Sequence, residues 1–524
     1  MATNDLRQAL AAGQFVHTAE LVLGRDYTLP EAEQFVKDAA SVANGIKVIS
    51  VTDLPGGNPA IPPEAFASFM LEHKLTPLIH YTSKDGNRTF LEGRLYTLAR
   101  LGVENVLALS GDAPTSGYLG KPKPVYDFDS VLLVRLAAEI RKGMFYQAGK
   151  RTLQTPPFDF LIGSVVNPFK VFEPALMTQL YKLELKIRCG ANFIITQVGY
   201  NLRKLYELKQ YMNLEGLGHV PVLANVYVPT ATIAKLMQAA EIPGCVVPER
   251  LVQRLENEKK PQRLERAALM VAAAKDLGFA GAHIGGFGLS HSDILAIIEK
   301  AAAIGGQWRE RLDELIFETE GADYYLFPSG KDGLSDDTQA YNTPAGRPKG
   351  ALSSRVFLSI HAVIVSRKSP VSKYYRWKLN QLRQQHGAEG DVWRRGLSYH
   401  SLDFADIVKH YTLGCVNCGD CLQDYMSYSG CSMGKCAKET RNGPCGGSRI
   451  NGACEVKPDM QCVWNTSYLS LREAGQDPRK FSHTLLPPRD WTLNQTNSLA
   501  NYLAEVDSNQ LRRKVELKKM EKPG

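Results

Sequence analysis

The chain has 524 residues and a mass of 57.9 kDa, with 44% apolar and 22% charged residues and a formal net charge of +8. That length is too great for one small core and implies two to four domains, fewer if one is a barrel; the ordinary composition excludes a disordered or fibrous chain. The apolar runs are too short and interrupted for a membrane-spanning helix, and Met1-Ala-Thr-Asn-Asp5 lacks the basic and apolar segments of a signal peptide, so a cytoplasmic protein is expected.

From Phe15 to about Gly306, apolar runs alternate with amphipathic segments, the pattern of repeated strand–helix units. Strands are predicted over Phe15–Leu23, Lys47–Leu54, Thr76–Tyr81, Asn105–Leu109, Phe158–Val166, Asn192–Val198, Pro221–Tyr227 and Ala280–Gly285. Apolar residues spaced three and four apart predict helices over Pro30–Ala43, Pro63–His73, Phe90–Leu101, Phe128–Lys142, Pro174–Cys189, Leu202–Met212 and Asp293–Ala303. Eight such units imply a (β/α)₈ barrel. The seventh crossover is long, and its charged run Arg250–Glu265 predicts a solvated helix pair broken at Pro261. Linker residues gather between Ser329 and Pro348, which places the barrel at 1–310 and a linker and helical region at 311–395, with a helical pattern that runs from Val356 to about His410 and leads into the next domain. A cysteine-rich domain then occupies 396–524 and closes on an amphipathic segment. Arg512, Arg513, Lys514, Lys518, Lys519 and Lys522 crowd the tail, but no aromatic-interleaved basic stripe accompanies them, which argues against nucleic acid.

In parallel barrels, ligands bind beyond the carboxyl ends of the strands. The predicted strand ends are polar: Glu20, Thr52-Asp53, His80-Tyr81-Thr82, Ser110-Gly111-Asp112, Asn167-Pro168, Gln197, Asn225 with Tyr227, and His283. One such residue suits a satisfied core position or a helix cap; eight ends together favour a site. Glu20 stands out, because Thr18-Ala-Glu20-Leu-Val22 puts a carboxylate in an apolar strand. Burial is expected to raise its pKa and make it a proton donor near neutral pH, the alternative being an ion pair with a Lys or Arg across the barrel mouth.

Thr18-Ala-Glu20, Val48-Ile-Ser-Val-Thr52, Pro77-Leu-Ile-His80-Tyr-Thr82, Asn105-Val-Leu-Ala-Leu-Ser-Gly-Asp112-Ala-Pro, Ile162-Gly-Ser-Val-Val-Asn-Pro168 and Gly190-Ala-Asn-Phe-Ile-Ile-Thr-Gln197 follow one another in an order and spacing that resembles the methylenetetrahydrofolate reductase family. The resemblance covers roughly residues 10 to 310. It implies a flavin-dependent oxidoreductase of one-carbon metabolism interconverting 5,10-methylenetetrahydrofolate and 5-methyltetrahydrofolate, with FAD rather than FMN on the carboxyl face and NAD(P)H as donor. Carried over by position, Glu20 and Asp112 are catalytic, Glu20 as the acid that opens the folate's imidazolidine ring and Asp112 as the carboxylate that tunes the flavin. Thr52, His80, Thr82, Leu109, Ser110, Gly111, Asp112, Asn167 and Lys186 fall at cofactor positions, and Glu20, Asp112 and Gln197 at substrate positions. The sequence departs from the family pattern where Ser110 replaces an Arg, where Gln179, Lys182 and Leu185 replace an Asp, an Asn and an Arg, and where Asn167 and Asp53 stand in place of aromatics. A non-catalytic folate-binding or electron-transfer scaffold of a methyl-transfer system is the alternative those departures leave open.

Eight of the ten cysteines lie between Cys415 and Cys462. Cys415-x-x-Cys418-x-x-Cys421, followed by Cys431, Cys436, Cys445, Cys454 and Cys462, argues for metal thiolates, either a [4Fe-4S] cluster or Zn²⁺. With Asn442-Gly-Pro-Cys-Gly-Gly447 and Cys462-Val-Trp464, the module resembles the C-terminal domain or partner subunit of bacterial methylenetetrahydrofolate reductases. The partners implied are the folate substrate and an electron-transfer or methyltransferase protein, with homo-oligomerisation open.

Overall fold

A computed structural model describes residues 4–336 apart from 44 and 320–322, residues 368–386, residues 403–508 apart from 427–428, and isolated positions between 338 and 366. The basic tail and much of the predicted helical region Val356–His410 lie outside the described residues. Two units are formed: Met1–Thr343 with Cys445–Asn451, and Pro344–Pro444 with Gly452–Gly524.

The first unit is built on strands β1 (Val16–Leu21), β2 (Val48–Val51), β3 (Thr76–Thr82), β4 (Asn105–Leu109), β7 (Leu161–Val166), β8 (Phe193–Thr196), β9 (Val222–Tyr227) and β10 (Gly281–Gly285). They close into a parallel barrel in the order β1-β10-β9-β8-β7-β4-β3-β2. Each predicted strand contains an observed one, because runs buried on both faces read as continuous apolar sequence, save that β3 runs one residue further, to Thr82. The register sets Thr18 beside His283, Glu20 beside Ser50, and His283 beside Asn225. The outer layer holds α2 (Pro30–Ser41), α3 (Pro63–Glu72), α4 (Arg88–Leu101), α5 (Ser130–Lys142), α6 (Glu173–Cys189), α7 (Leu202–Leu214), α8 (Ala231–Gln238), α9 (Glu249–Glu256), α10 (Lys260–Asp276) and α11 (His291–Ile304). Pro30 and Pro63 open α2 and α3, where a missing N–H costs nothing. The charged pair is α9 and α10, but the break falls at Asn257–Lys259; Pro261 sits inside the first turn of α10, where proline is tolerated.

Among the unpredicted elements, besides α8, are a helix and a hairpin. Helix α1 (Asp5–Ala11) closes the amino end of the barrel: Leu6, fully buried, packs with Val16, Val48, Leu78, Leu107, Phe193 and Leu223. Asn4 caps the helix through Arg7 N–H, and its amide donates to Asn105 at 2.8 Å, tying α1 to the start of β4. The other is an exposed antiparallel hairpin, β5 (Phe145–Ala148) with β6 (Arg151–Gln154), after α5. Beyond α11 the chain returns over α7, where buried Arg203 donates to Ser335, Ser329 and the Phe327 carbonyl, so the unit runs on past residue 310.

In the second unit, Leu379 of helix Pro370–His386 packs on Ala500 and Leu503 of helix Ser498–Ala504. Trp464, fully buried, donates from its indole N–H to Thr440 at 2.8 Å and meets Phe481 edge-on. Asn442 clamps Leu486 through both its amide groups, and Arg441 pairs with buried Asp420 at 2.9 Å.

Candidate functional site

Thr18 and Glu20 are two apart on β1 and share one face of the strand. Closure of the barrel brings His283 of β10 beside them, and β3 adds His80. Thr18 Oγ1 lies 2.7 Å from His283 Nδ1, while His283 Nε2 lies 3.4 Å, and His80 Nε2 4.0 Å, from Glu20 Oε2. Among the described residues, these are the one group of three His, Cys, Asp or Glu donor atoms within 4.8 Å of one another. Burial pushes the Glu20 carboxyl up, but the hydrogen bond from His283 and the neighbouring imidazoles outweigh it and hold the group below its ordinary range. This corrects the expectation of a raised pKa: Glu20 rests as a carboxylate, and its partners are histidines rather than Lys or Arg. Burial pulls His80 down to about 4, so it is neutral at pH 7, and its buried Nε2 has no hydrogen-bond partner.

The loops after β2 and β4 are locked together. The Gly56 N–H donates to Asp112 Oδ2 at 3.1 Å, and the Thr115 N–H donates to the Gly57 carbonyl at 3.0 Å. Gly57 has φ +70°, and a Cβ there would sit 2.0 Å from the Ala113 carbonyl oxygen, so glycine is required. Gly111, φ +77°, packs against Lys84 and Thr82. The Leu109 carbonyl accepts from the Ser83 N–H, and that of Ser110 from the Ser83 hydroxyl. Asp53 is a buried anchor that accepts from the Thr82 N–H and hydroxyl and pairs with Arg94 at 3.0 Å, a network that sequence reading missed because Arg94 is on a helix far along the chain. Thr52 is buried, and its hydroxyl has no hydrogen-bond partner.

Helix α6 is buried along almost its whole length, including Gln179, Lys182 and Lys186. Lys186 Nζ donates to the Val165 carbonyl at 2.6 Å, and burial lowers its pKa well below the ordinary lysine value. Gln197 accepts from the Val198 N–H at 2.8 Å, which leaves its amide NH₂ as the free end. Asn167 donates to the carbonyls of Gly244 (2.8 Å) and Gly446 (3.3 Å) and accepts from Phe169 N–H, so its amide is spent on protein partners. Lys170 Nζ donates to the Ser448 carbonyl at 2.6 Å. The segment Cys445–Asn451, which belongs with the barrel unit, thus meets the fifth barrel strand's carboxyl end; no sequence periodicity signals such a return of the chain.

In the second unit, Cys415, Cys418, Cys421 and Cys431 line one cavity together with Leu413, Leu422 and Met433. Cys436 and Cys454 are electrostatic neighbours of Cys462 in a separate group. Burial pushes the Cys421, Cys431 and Cys462 thiols up to about 12. Cys445 falls with the barrel unit. The eight cysteines are therefore distributed rather than gathered at one point.

A closed eight-stranded parallel barrel with ionisable and polar residues converging at its carboxyl ends defines a (β/α)₈-barrel protein with a candidate site at that face. Residues 5–284 match the family model "Methylenetetrahydrofolate reductase", and residues 396–492 match "Methylene-tetrahydrofolate reductase C terminal". The chain belongs to the methylenetetrahydrofolate reductase family. It is 28% identical over 198 residues to methylenetetrahydrofolate reductase 2 of Schizosaccharomyces pombe; the match takes in 37% of this chain and 29% of that relative's length. Among solved structures, a Clostridium thermocellum protein described as binding two copies of 5-methyl-5,6,7,8-tetrahydrofolic acid is 17% identical at a TM-score of 0.39, with 57% of this chain and 98% of that one covered. A 2,3-dimethylmalate lyase is 13% identical at a TM-score of 0.33, with 60% and 88% covered.

Proposed function

We propose that this chain is a flavin-dependent reductase that interconverts 5,10-methylenetetrahydrofolate and 5-methyltetrahydrofolate. The observation that carries the reading is the Thr18–His283–Glu20 group, a carboxylate backed by an imidazole and a hydroxyl, at the ligand face of a barrel of this family. Glu20 holds and moves the proton of the folate reaction. It rests ionised and takes up a proton before donating it to the bridging nitrogen, or accepts one directly in the reverse direction. His283 Nε2 delivers or receives that proton, and Thr18 fixes the ring. In this reading Asp112, held by the Gly56 N–H, presents a second carboxylate, and Gln197, whose Oε1 accepts from the Val198 N–H, donates from its NH₂ to the pterin.

The residues present fit a flavin: Thr52 offers an orphaned buried hydroxyl, the Gly111 turn brings backbone close to the site, and Lys186 with Lys182 supplies buried amino donors on α6. Thr52, the 109–112 turn and Lys186 would hold it, and when bound it supplies the hydride relay between reduced nicotinamide and folate. Cys415, Cys418, Cys421 and Cys431 fit a metal centre by their donor chemistry. A [4Fe-4S] cluster held there would supply one-electron transfer, and Zn²⁺ would supply a structural staple.

Glu20→Gln tests the assignment. Reduction of bound flavin by NADH is expected to stay within a few-fold of wild type, while transfer to methylenetetrahydrofolate falls by roughly 10²–10⁴. Equal losses in both half-reactions would contradict the role.

A further inference from the structure

The Glu20–His80–His283 group has a property that proton transfer does not use. Three donor atoms from three strands lie within 4.8 Å of one another, two of them imidazole nitrogens and one a carboxylate oxygen. Zinc-class ions bound at about 2.0–2.1 Å set tetrahedral nitrogen and oxygen ligands about 3.4 Å apart. The Glu20–His283 separation is 3.4 Å already, and the Glu20–His80 separation of 4.0 Å closes with a small movement. His80 is 8% exposed and His283 1% exposed, so both rings are held by packing. The His80 Nε2 is buried without a hydrogen-bond partner, an unpaid polar atom aimed at the carboxylate.

The surroundings supply what a metal-bound histidine needs. A ligating imidazole gives its other nitrogen to an oxygen partner, which fixes tautomer and orientation. Thr18 Oγ1 stands 2.7 Å from His283 Nδ1, and a hydroxyl serves either tautomer: it accepts from Nδ1–H when Nε2 is a ligand, and donates to Nδ1 when Nε2–H faces Glu20. Ser50 Oγ, 3.5 Å from His283 Nε2, adds a polar wall, and the Glu20 side chain, 19% exposed, keeps an edge accessible to solvent.

We propose that Glu20, His80 and His283 form a binding site for one divalent transition-metal ion of the zinc class at the carboxyl face of the barrel. The ion occupies the lone pairs through which Glu20 and His283 handle the proton, so metal binding and folate turnover exclude one another and the site works as an inhibitory switch. The switch rests on the reductase reading; the metal site rests on geometry alone.

The test is an anaerobic titration of Co²⁺ into the purified full chain with its cysteine-bound metal in place. One added ion per chain is expected to give ligand-field bands of a nitrogen and oxygen site, without the sulfur-to-cobalt charge-transfer band of a thiolate site, and Zn²⁺ should displace it. His80→Gln and His283→Gln, checked for folding by circular dichroism, should lose that signal. Thr18→Val, which keeps side-chain shape, should weaken binding roughly 10–100-fold. A wild-type protein without the signal, or folded histidine variants that keep it at unchanged affinity, would overturn the site. Co²⁺ binding as expected with no effect of Zn²⁺ on the folate half-reaction would overturn the switch and leave the metal site standing.

Discussion

At Glu20, charge and surroundings decide more than burial does. A carboxylate inside an apolar strand is visible in the sequence, and so is Thr18 two residues before it. The direction of its pKa is not, because the histidines that set it come from β3 and from β10, 263 residues away across the barrel seam. The same burial has a consequence for acid stability. His17 and His80 are both pulled down to about 4, His80 by burial and His17 by burial with Lys275 beyond it. Below an unfolded histidine pKa of about 6.5 the unfolded chain takes up protons that the folded chain refuses, so stability falls as pH drops from about 6.5 toward 4. Urea unfolding at pH 7 and pH 5 should show a loss at pH 5, and His80→Gln should make that loss smaller; an identical loss in the variant would remove His80 as a cause.

At the level of elements, strands buried on both faces were legible as apolar runs, and helices as three-and-four spacings. The elements missed are those whose reason lies elsewhere in the fold. Helix α1 is seven residues long and carries one fully buried side chain, Leu6, whose value appears only once the barrel above it is closed. Leu6→Ala is expected to cost about 2–5 kcal/mol in chemical unfolding. Similarly, Asp53 reads as a departure from an aromatic position and becomes an anchor once Arg94 and Thr82 reach it. The Gly56-Gly57 turn holds the Asp112 loop by contacts a sequence does not show. Gly57→Ala forces a Cβ against the Ala113 carbonyl, and we expect a loss of about 1–3 kcal/mol together with weaker flavin retention on gel filtration.

For the whole molecule, the sequence disclosed a barrel followed by a cysteine module, because thiol spacing and strand–helix alternation are both local signals. It did not disclose that Cys445–Asn451 belongs with the barrel unit, or that four cysteines line one cavity and three others make a separate group. Those arrangements depend on chain returns set by turns such as Gly419, φ +74°, where a Cβ would meet the Leu493 carbonyl at 1.9 Å. Cys418→Ser should lower the metal content and the unfolding temperature of the second unit, since thiolate–metal binding energy is folding energy. Metal analysis showing full occupancy in that variant would remove Cys418 as a ligand. Flavin-dependent folate reduction is tested by the absorbance of anaerobically purified protein during successive additions of NADH and methylenetetrahydrofolate. A flavin band that bleaches with NADH and returns with the folate is expected; a protein that carries no flavin, or a bleached band that the folate leaves unchanged, would contradict the assignment.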